Sequence, residues 1–123
     1  MKEKRIAVYD MSADDLVVTA QAVREYFDRH GDKTQVLEFS SAYDFVRDFR
    51  DNHCDMVFLG MNGMLDVETA RSVSQLDRRC PLFFVSAVGD YGLEGLRLKV
   101  ADYLIKPVTY QRVSEAISRI AGE

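Results

Sequence analysis

The chain has 123 residues, of which 47% are hydrophobic and 29% are charged, and its formal net charge is −4. This composition is typical of one globular domain and argues against disordered, fibrous and membrane-spanning classes of protein. Acidic and basic residues are interspersed without a basic stripe, which disfavours direct binding to nucleic acid by this chain.

The apolar runs and the cysteines predict a cytoplasmic protein with no membrane segment. The first apolar run, Ile6 to Val8, is too short for a signal peptide, and no run reaches membrane-spanning length. Cys54 and Cys80 lack the spacing of a zinc site or of a CxxC motif. We therefore expect two buried, reduced thiols, no cofactor, and a single domain over residues 1–123.

The first half of the chain predicts two strand–helix pairs. The apolar run RIAVYD (5–10) predicts a strand, and Ser12 then caps a helix that closes at HGD (30–32). TQVLEF (34–39) predicts the second strand, and Ser40 or Ser41 caps the helix that follows. The apolar stripe of the first helix consists of Leu16, Ala20, Val23 and Phe27.

Three further pairs follow in the second half. DMVFLG (55–60) predicts a strand, followed by a helix from about Leu65 to Arg78 that buries Ala70, Val73 and Leu76. PLFFVSA (81–87) predicts the most apolar strand, followed by a helix near Tyr91 to Lys99. ADYLI (101–105) predicts the last strand. The final helix is capped by Thr109 and buries Val113, Ala116, Ile117 and Ile120.

Alternation of five strands with five helices requires parallel pairing, right-handed crossovers and helices on both faces of the sheet. The predicted fold class is therefore α/β, with a doubly wound parallel sheet. In such sheets, ligands bind outside the carboxyl ends of the strands. The residues predicted at those ends are Asp10, Gly60, Ser86 and Lys106, the last followed by Pro107.

These strand ends resemble a known family. An acid after the first strand, a Ser after the fourth and DYLIKP (102–107) on the fifth together resemble the receiver domain of bacterial two-component response regulators. The resemblance covers Arg5 to about Ile120, and residues 86–108 are most similar to receivers of LytTR-type regulators. It implies a flavodoxin-like sheet of strand order 2-1-3-4-5 and a signalling domain that is not an enzyme.

The resemblance also implies that this chain lacks parts of the family's phosphorylation site. Receivers take a phosphoryl group on an Asp at the end of the third strand, and acids after the first strand help to hold Mg²⁺. The acceptor position falls here on Gly60, and the acid pair falls on Asp10 and Met11, whose thioether does not suit Mg²⁺. The next turn, NGMLDVETA (62–70), begins about two residues early. The resemblance therefore implies a receiver without a phosphoacceptor and without a specific metal site.

Other parts of the receiver pattern remain. Ser86 and Lys106 match the hydroxyl and the ammonium that bind the phosphoryl group, and Tyr103 matches the aromatic residue that turns inward on activation. We predict an ion pair between Lys106 and Asp10, because an ammonium half-withdrawn from water needs a partner. The resemblance further implies a cis peptide bond between Lys106 and Pro107.

Local explanations compete with these interpretations. A glycine at position 60 can simply permit a tight turn. Asp55 and Asp66 are conceivable substitute phosphoacceptors, but Asp55 opens its strand and Asp66 resembles an acid at a helix start. Asp14 and Asp15 are interpreted as first-turn acids that complement the helix dipole.

The function predicted is that of a phosphorylation-independent signalling and protein-interaction module. Two alternatives stay open: gating by a small anion or metabolite beside Ser86 and Lys106, and conventional phosphorylation at a displaced Asp. Family members pair through the fourth helix, fifth strand and fifth helix, so the resemblance implies a homodimer or contact with an effector domain. The residues expected on that surface are Tyr91, Leu93, Arg97, Tyr103, Tyr110 and Arg112.

Overall fold

A computed structural model of the protein describes residues 3–121, within which strands and helices alternate. The strands are β1 (Lys4–Tyr9), β2 (Thr34–Phe39), β3 (Met56–Gly60), β4 (Leu82–Ser86) and β5 (Asp102–Ile105). The helices are α1 (Ala13–Arg29), α2 (Ala42–Asp51), α3 (Met64–Leu76), α4 (Gly92–Leu98) and α5 (Tyr110–Ala121). The predicted elements are therefore present, and the ends of the predicted 1–123 domain lie outside the described residues.

The strands form one parallel sheet of order β2-β1-β3-β4-β5, which confirms the predicted fold class. The register aligns the carboxyl ends of the central strands: Tyr9 pairs with Leu59, and Gly60 pairs with Val85. On the far side of β4, Ser86 pairs with Ile105. The predicted strand-end residues therefore gather at one edge of the sheet.

Each strand contributes alternate side chains to two separate cores. Ile6, Phe58 and Phe83 belong to the core on the α1 and α5 side of the sheet. Val57 and Phe84 belong to the core on the side of α2 and α3. Because both faces are covered, the central strands are apolar throughout instead of alternating with polar residues.

Hydroxyl side chains cap the starts of three helices. Ser12 Oγ accepts from the Asp15 N–H at 3.4 Å, and Ser41 Oγ accepts from the Asp44 N–H at 3.3 Å. Thr109 Oγ1 accepts from the Arg112 N–H at 3.2 Å, as predicted. Of the two serines considered for α2, Ser41 is therefore the cap.

The predicted end of α3 is wrong by two residues. The helix ends at Leu76, and Asp77 is already extended, with φ −151°. Arg78 therefore follows the helix instead of belonging to its last turn. Leu76 was predicted to be buried, but its side chain is 47% exposed, because the end of the helix borders an open cleft beside Asn52.

Other expectations on burial are met to different degrees. Val113, Ala116 and Ile117 are buried in α5, whereas Ile120 is only half-buried at its periphery. The two cysteines are free and buried, as predicted: Cys54 and Cys80.

Over residues 3–121, every helix is too short or too polar to cross a membrane.

Candidate functional site

Lys106 lies at the centre of the carboxyl edge, and its side chain is only 8% exposed. Its Nζ lies 2.8 Å from Asp10 Oδ2, which confirms the predicted ion pair. Nζ also donates to Asp15 Oδ2 at 2.8 Å and to Asn62 Oδ1 at 3.1 Å. Asp15 thus pairs with Lys106 in addition to lying in the first turn of α1, which the sequence interpretation did not anticipate.

The Asp10 carboxylate is almost fully buried, with 2% of its side chain exposed. Its Oδ1 accepts from the Ser12 N–H and from Asn62 Nδ2, both at 2.9 Å. Its Oδ2 accepts no hydrogen bond from the described residues, so its contact with Lys106 is one of charge. Lys106 therefore faces the Asp10 and Asp15 carboxylates, and the Asn62 side chain hydrogen-bonds both Asp10 and Lys106; these four residues form the Lys106 cluster.

Gly60, the last residue of β3, lies directly beside this carboxylate. A Cβ atom on Gly60 would lie 2.9 Å from the Asp10 Cβ and would overlap the carboxylate itself. Only a residue without a side chain fits while Asp10 holds this position. Gly60 therefore does more than permit a turn, because the space next to its Cα is filled by Asp10.

The charges in the cluster shift the ionisation of its members. Burial lowers the pKa of Lys106, but the Asp10 and Asp15 carboxylates outweigh burial, so the pKa is raised above 10.5. The hydrogen bond from Lys106 lowers the pKa of Asp15 below 3.8. Both shifts favour the charged forms, so the ammonium and the Asp15 carboxylate stay ionised around neutral pH.

Asp66 anchors the loop between β3 and α3. It is 2% exposed, and its Oδ1 accepts from the Tyr9 hydroxyl at 3.1 Å. Its Oδ2 accepts from the Asn62 N–H at 2.7 Å. Burial and the nearby Asp66 carboxylate raise the pKa of Tyr9 to about 12, so the phenol keeps its proton. Asp66 is indeed a first-turn acid of α3, but its buried role in placing Asn62 was not predicted.

Ser86 and Tyr103 serve the β4–α4 loop rather than the Lys106 cluster. Ser86 is 1% exposed, and its Oγ accepts from the Val88 N–H at 3.3 Å. The Tyr103 hydroxyl donates to Val88 O at 2.8 Å and accepts from the Tyr91 N–H at 3.1 Å. Its ring packs edge-on against Phe84 at 6.1 Å. Both side chains therefore hold the loop against the sheet.

A family model, the response regulator receiver domain, matches residues 11–118. The chain belongs to this family. Two curated relatives are similar over most of this receiver: the sensory transduction protein LytT of Enterococcus faecalis is 22% identical over 89% of the chain. The transcriptional regulatory protein YpdB of Escherichia coli K12 is 22% identical over 87% of the chain. These matches cover 46% and 45% of the two relatives, so the chain spans about half of their length.

Solved structures confirm the receiver fold. A response regulator from Thermotoga maritima superposes with a TM-score of 0.80 at 18% identity, covering 99% of this chain and 100% of that one. At this identity the likeness concerns the fold alone. The cis peptide bond between Lys106 and Pro107, expected from the resemblance, is present.

The residues expected on the receiver's interaction surface do not all lie together. Leu93 is 55% exposed on α4, and Leu96, which the sequence interpretation did not include, is 75% exposed. Tyr110 packs against α1 instead, with its ring 6.4 Å from that of Tyr26 and the Arg29 guanidinium 4.3 Å from its centroid. Because its ring packs against α1, Tyr110 belongs to the contact between α1 and α5 and not to the candidate surface.

Of the other expected residues, Tyr91 and Arg112 contact Tyr103 on the edge strand β5, whereas Arg97 lies on the side of α4 that faces α3. Arg112 donates to Tyr103 O at 3.3 Å and lies 3.7 Å from Asp102 Oδ2, across the surface from α5 to β5. Arg97 is exposed on α4, and Tyr91 is half-buried at its start. The surface formed by α4, β5 and α5 thus combines exposed leucines with exposed charges.

The alternative acids lie away from the Lys106 cluster or are fully engaged. Asp55 precedes β3 at the opposite edge of the sheet, where its Oδ2 accepts from the Arg5 N–H at 2.8 Å. Both oxygens of Asp66 already accept hydrogen bonds. Within residues 3–121, no three His, Cys, Asp or Glu side chains group in a way that could hold a metal ion.

Proposed function

We propose that this receiver is a signalling and protein-interaction domain whose conformation does not depend on phosphorylation. One observation carries the proposal: the Asp10 carboxylate fills the space beside Gly60 and pairs with Lys106. Gly60 stands at the position of the family's phosphoacceptor and offers no carboxylate. Lys106, the group that would attract a phosphoryl group, already has two carboxylates.

The same residues do not fit the magnesium ion of the family. Mg²⁺ requires near-octahedral oxygen ligands. Asp10 Oδ1 already accepts two hydrogen bonds, and Oδ2 faces the Lys106 ammonium. Met11, at the second acidic position, is 58% exposed and offers only sulfur. A cation at Asp10 would have to displace Lys106, so the residues present do not fit a magnesium ion.

Intact-mass spectrometry tests the proposal directly. The protein is incubated with acetyl phosphate and Mg²⁺, alongside a receiver that accepts phosphate from the same donor. We expect a mass increase for the control receiver and none for this protein. A stoichiometric phosphoryl adduct would overturn the proposal, and peptide mapping would then assign it among Asp10, Asp55 and Asp66.

The surface of α4, β5 and α5 supports the protein-interaction part of the proposal. A groove of about 360 Å³ lies between Leu96, Val100 and Tyr103. Leu96 in the lining is 75% exposed, and the charged side chains in the lining are Lys99 and Asp102, of which Asp102 pairs with Arg112 on α5. An apolar centre with a charged margin is the usual anatomy of a protein interface. The partner is a second copy of the chain or an effector domain.

Light scattering after size-exclusion chromatography tests the homodimer. We expect a concentration-dependent dimer that Leu96→Asp converts to a monomer. The matched control is Leu65→Asp, because Leu65 is 81% exposed but lies on α3. Dimers that persist in Leu96→Asp would place the interface elsewhere, and a wild-type monomer at all concentrations would leave the effector domain as the partner.

Anion gating at Lys106 has less structural support. The cavity that reaches Lys106, between Asp15 and Pro107, has a volume of only about 30 Å³, roughly one water molecule. An entering anion would also have to displace two carboxylates from the ammonium. We also propose a cytoplasmic location and an effector domain as a partner. The chain spans about half of its curated relatives, so the activity of the whole protein is likewise a proposal.

A further inference from the structure

A cleft opens at the amino edge of the sheet, where α3 and α4 end on either side of the start of β4. Its volume is about 510 Å³. This is within the range of small-molecule sites in proteins. Four cationic side chains and a single carboxylate border the cleft: Arg71, Arg78, Arg97, Lys99 and Asp77.

Most of these cations are not neutralised by a carboxylate of the described residues. Arg71 pairs with Glu68 at 2.7 Å, and Asp77 Oδ1 accepts from the Arg79 N–H. Arg78, Arg97 and Lys99 form no ion pair with a carboxylate of residues 3–121. All three are exposed, so solvent and ligands can reach them.

The positive charge of the cleft runs against the charge of the whole chain, which is −4. Helix C-termini favour nearby cations, and this accounts for Arg97 and Lys99 at the end of α4, whereas the last turn of α3 holds no cation. It does not account for four cations that converge on one cleft with one carboxylate. Such convergence is the arrangement by which proteins bind anions, since guanidinium groups match phosphate oxygens in pairs.

We propose that this cleft binds a small molecule that carries at least two phosphate groups. Arg78, Arg97 and Lys99 bind the phosphates, and Ser74 and Gln75 offer further hydrogen-bonding groups from α3. Leu82 and Leu98 supply an apolar side to the cleft, which suits the organic part of a nucleotide. The site is separate from the Lys106 cluster, so the proposal does not depend on whether the domain can be phosphorylated.

Titration calorimetry at constant ionic strength tests the site with inorganic pyrophosphate and with ADP as the two probes. We expect both to bind, and ADP to bind more tightly if the apolar side contributes. Equal affinities for pyrophosphate and ADP would mean that the cleft recognises the phosphate groups alone, which still supports the proposal. Absence of heat and of any melting-temperature shift with either probe at millimolar concentration would overturn it.

Variants localise the binding. The double variant Arg78→Gln/Arg97→Gln should weaken pyrophosphate binding by about tenfold or more, since two charged contacts are lost. Lys33→Gln/Arg47→Gln removes the same charge from exposed positions outside the cleft and should bind like the wild type. Equal loss in both variants would mean nonspecific attraction and would overturn the proposal.

Amide NMR shifts provide the second readout. Pyrophosphate should perturb residues 74–79 and 97–99, and should leave the amides around Lys106 unchanged. Perturbation confined to the Lys106 cluster would overturn the cleft as the site and would favour anion gating at the carboxyl edge.

Discussion

The two edges of the sheet treat their cations in opposite ways. At the carboxyl edge, Lys106 is 8% exposed and contacts two carboxylates. At the amino edge, Arg78 and Arg97 are exposed and form no ion pair with the described carboxylates. A buried ammonium must be paired because it has lost its water, whereas an exposed guanidinium keeps its hydration. Positive charge therefore neutralises buried carboxylate at one edge and stays exposed to solvent at the other.

Breaking the buried pair should produce the largest effect. Lys106→Met leaves the Asp10 carboxylate buried without a countercharge, so we expect the free energy of unfolding to fall by about 3 kcal/mol. Urea denaturation measures the loss. Lys33→Met, at an exposed position, is the control and should change stability by less than about 0.5 kcal/mol. A loss in Lys106→Met below about 1 kcal/mol would mean that the pair behaves as a solvated one.

Filling the space beside Gly60 should have the next largest effect. Gly60→Ala places a methyl group against the Asp10 carboxylate and should cost about 2 kcal/mol. Gly89→Ala is the control, because its Cβ meets no atom within 4 Å. In an Asp10→Ala background, Gly60→Ala should cost much less, which a double-mutant cycle measures. Equal costs in both backgrounds would mean that the Asp10 carboxylate is not what excludes a side chain at position 60.

The pH dependence of stability tests the exposed side of the Lys106 cluster. The pKa of Asp15 is lowered below 3.8 in the folded state, so its contribution is present above that value and is lost as pH falls through the folded pKa. Asp15→Asn should therefore flatten the decline of the unfolding free energy between about pH 5 and pH 3, by under about 1 kcal/mol. Denaturation at a series of pH values measures it.

Asp14→Asn is the control for this pH series. Asp14 is exposed and adjacent in sequence, but it contacts no cation among the described residues. Its replacement should leave the decline of the unfolding free energy at acidic pH close to that of the wild type. If Asp14→Asn and Asp15→Asn flatten this decline equally, the helix dipole and not Lys106 is the source of the pH dependence.

The smallest effect on stability is expected at the amino edge. Arg78→Gln/Arg97→Gln should change the unfolding free energy by less than about 0.5 kcal/mol, because both side chains are exposed and neither forms an ion pair among residues 3–121. Thermal denaturation without ligand measures this. A loss comparable to that of Lys106→Met would show that these arginines stabilise the fold, and the contrast between the two edges would disappear.

Much of the carboxyl edge could be predicted from the sequence. Apolar runs mark the strands, and parallel topology places their carboxyl ends together, so Asp10 and Lys106 were expected to meet. The positions of Asn62 and Asp66 at this edge could not be predicted in this way. Their positions depend on the path of the β3–α3 loop, which is held by contacts between Asp66 and Tyr9.

Predictions that required helix orientation were less successful. Asp15 was interpreted only as a dipole-complementing acid, although the first turn of α1 brings it to Lys106 across 91 residues of sequence. Tyr110 was expected on the α4, β5 and α5 surface, but it packs against Tyr26 on α1. A helical pattern shows which residues share a face, but not which neighbouring element that face contacts.

The sequence by itself determined the order of the elements, the parallel sheet and the glycine at the end of β3, because these follow from local hydrophobic pattern and chain connectivity. Only the tertiary structure decided that Asp15 and Asn62 join Asp10 around Lys106 and that Asp10 fills the space beside Gly60. Both depend on side chains from β1, α1 and the β3–α3 loop meeting over one edge of the sheet. Burial there removes water from the Lys106 ammonium. The nearby carboxylates must therefore neutralise its charge, and the Asn62 amide oxygen must accept one of its hydrogen bonds.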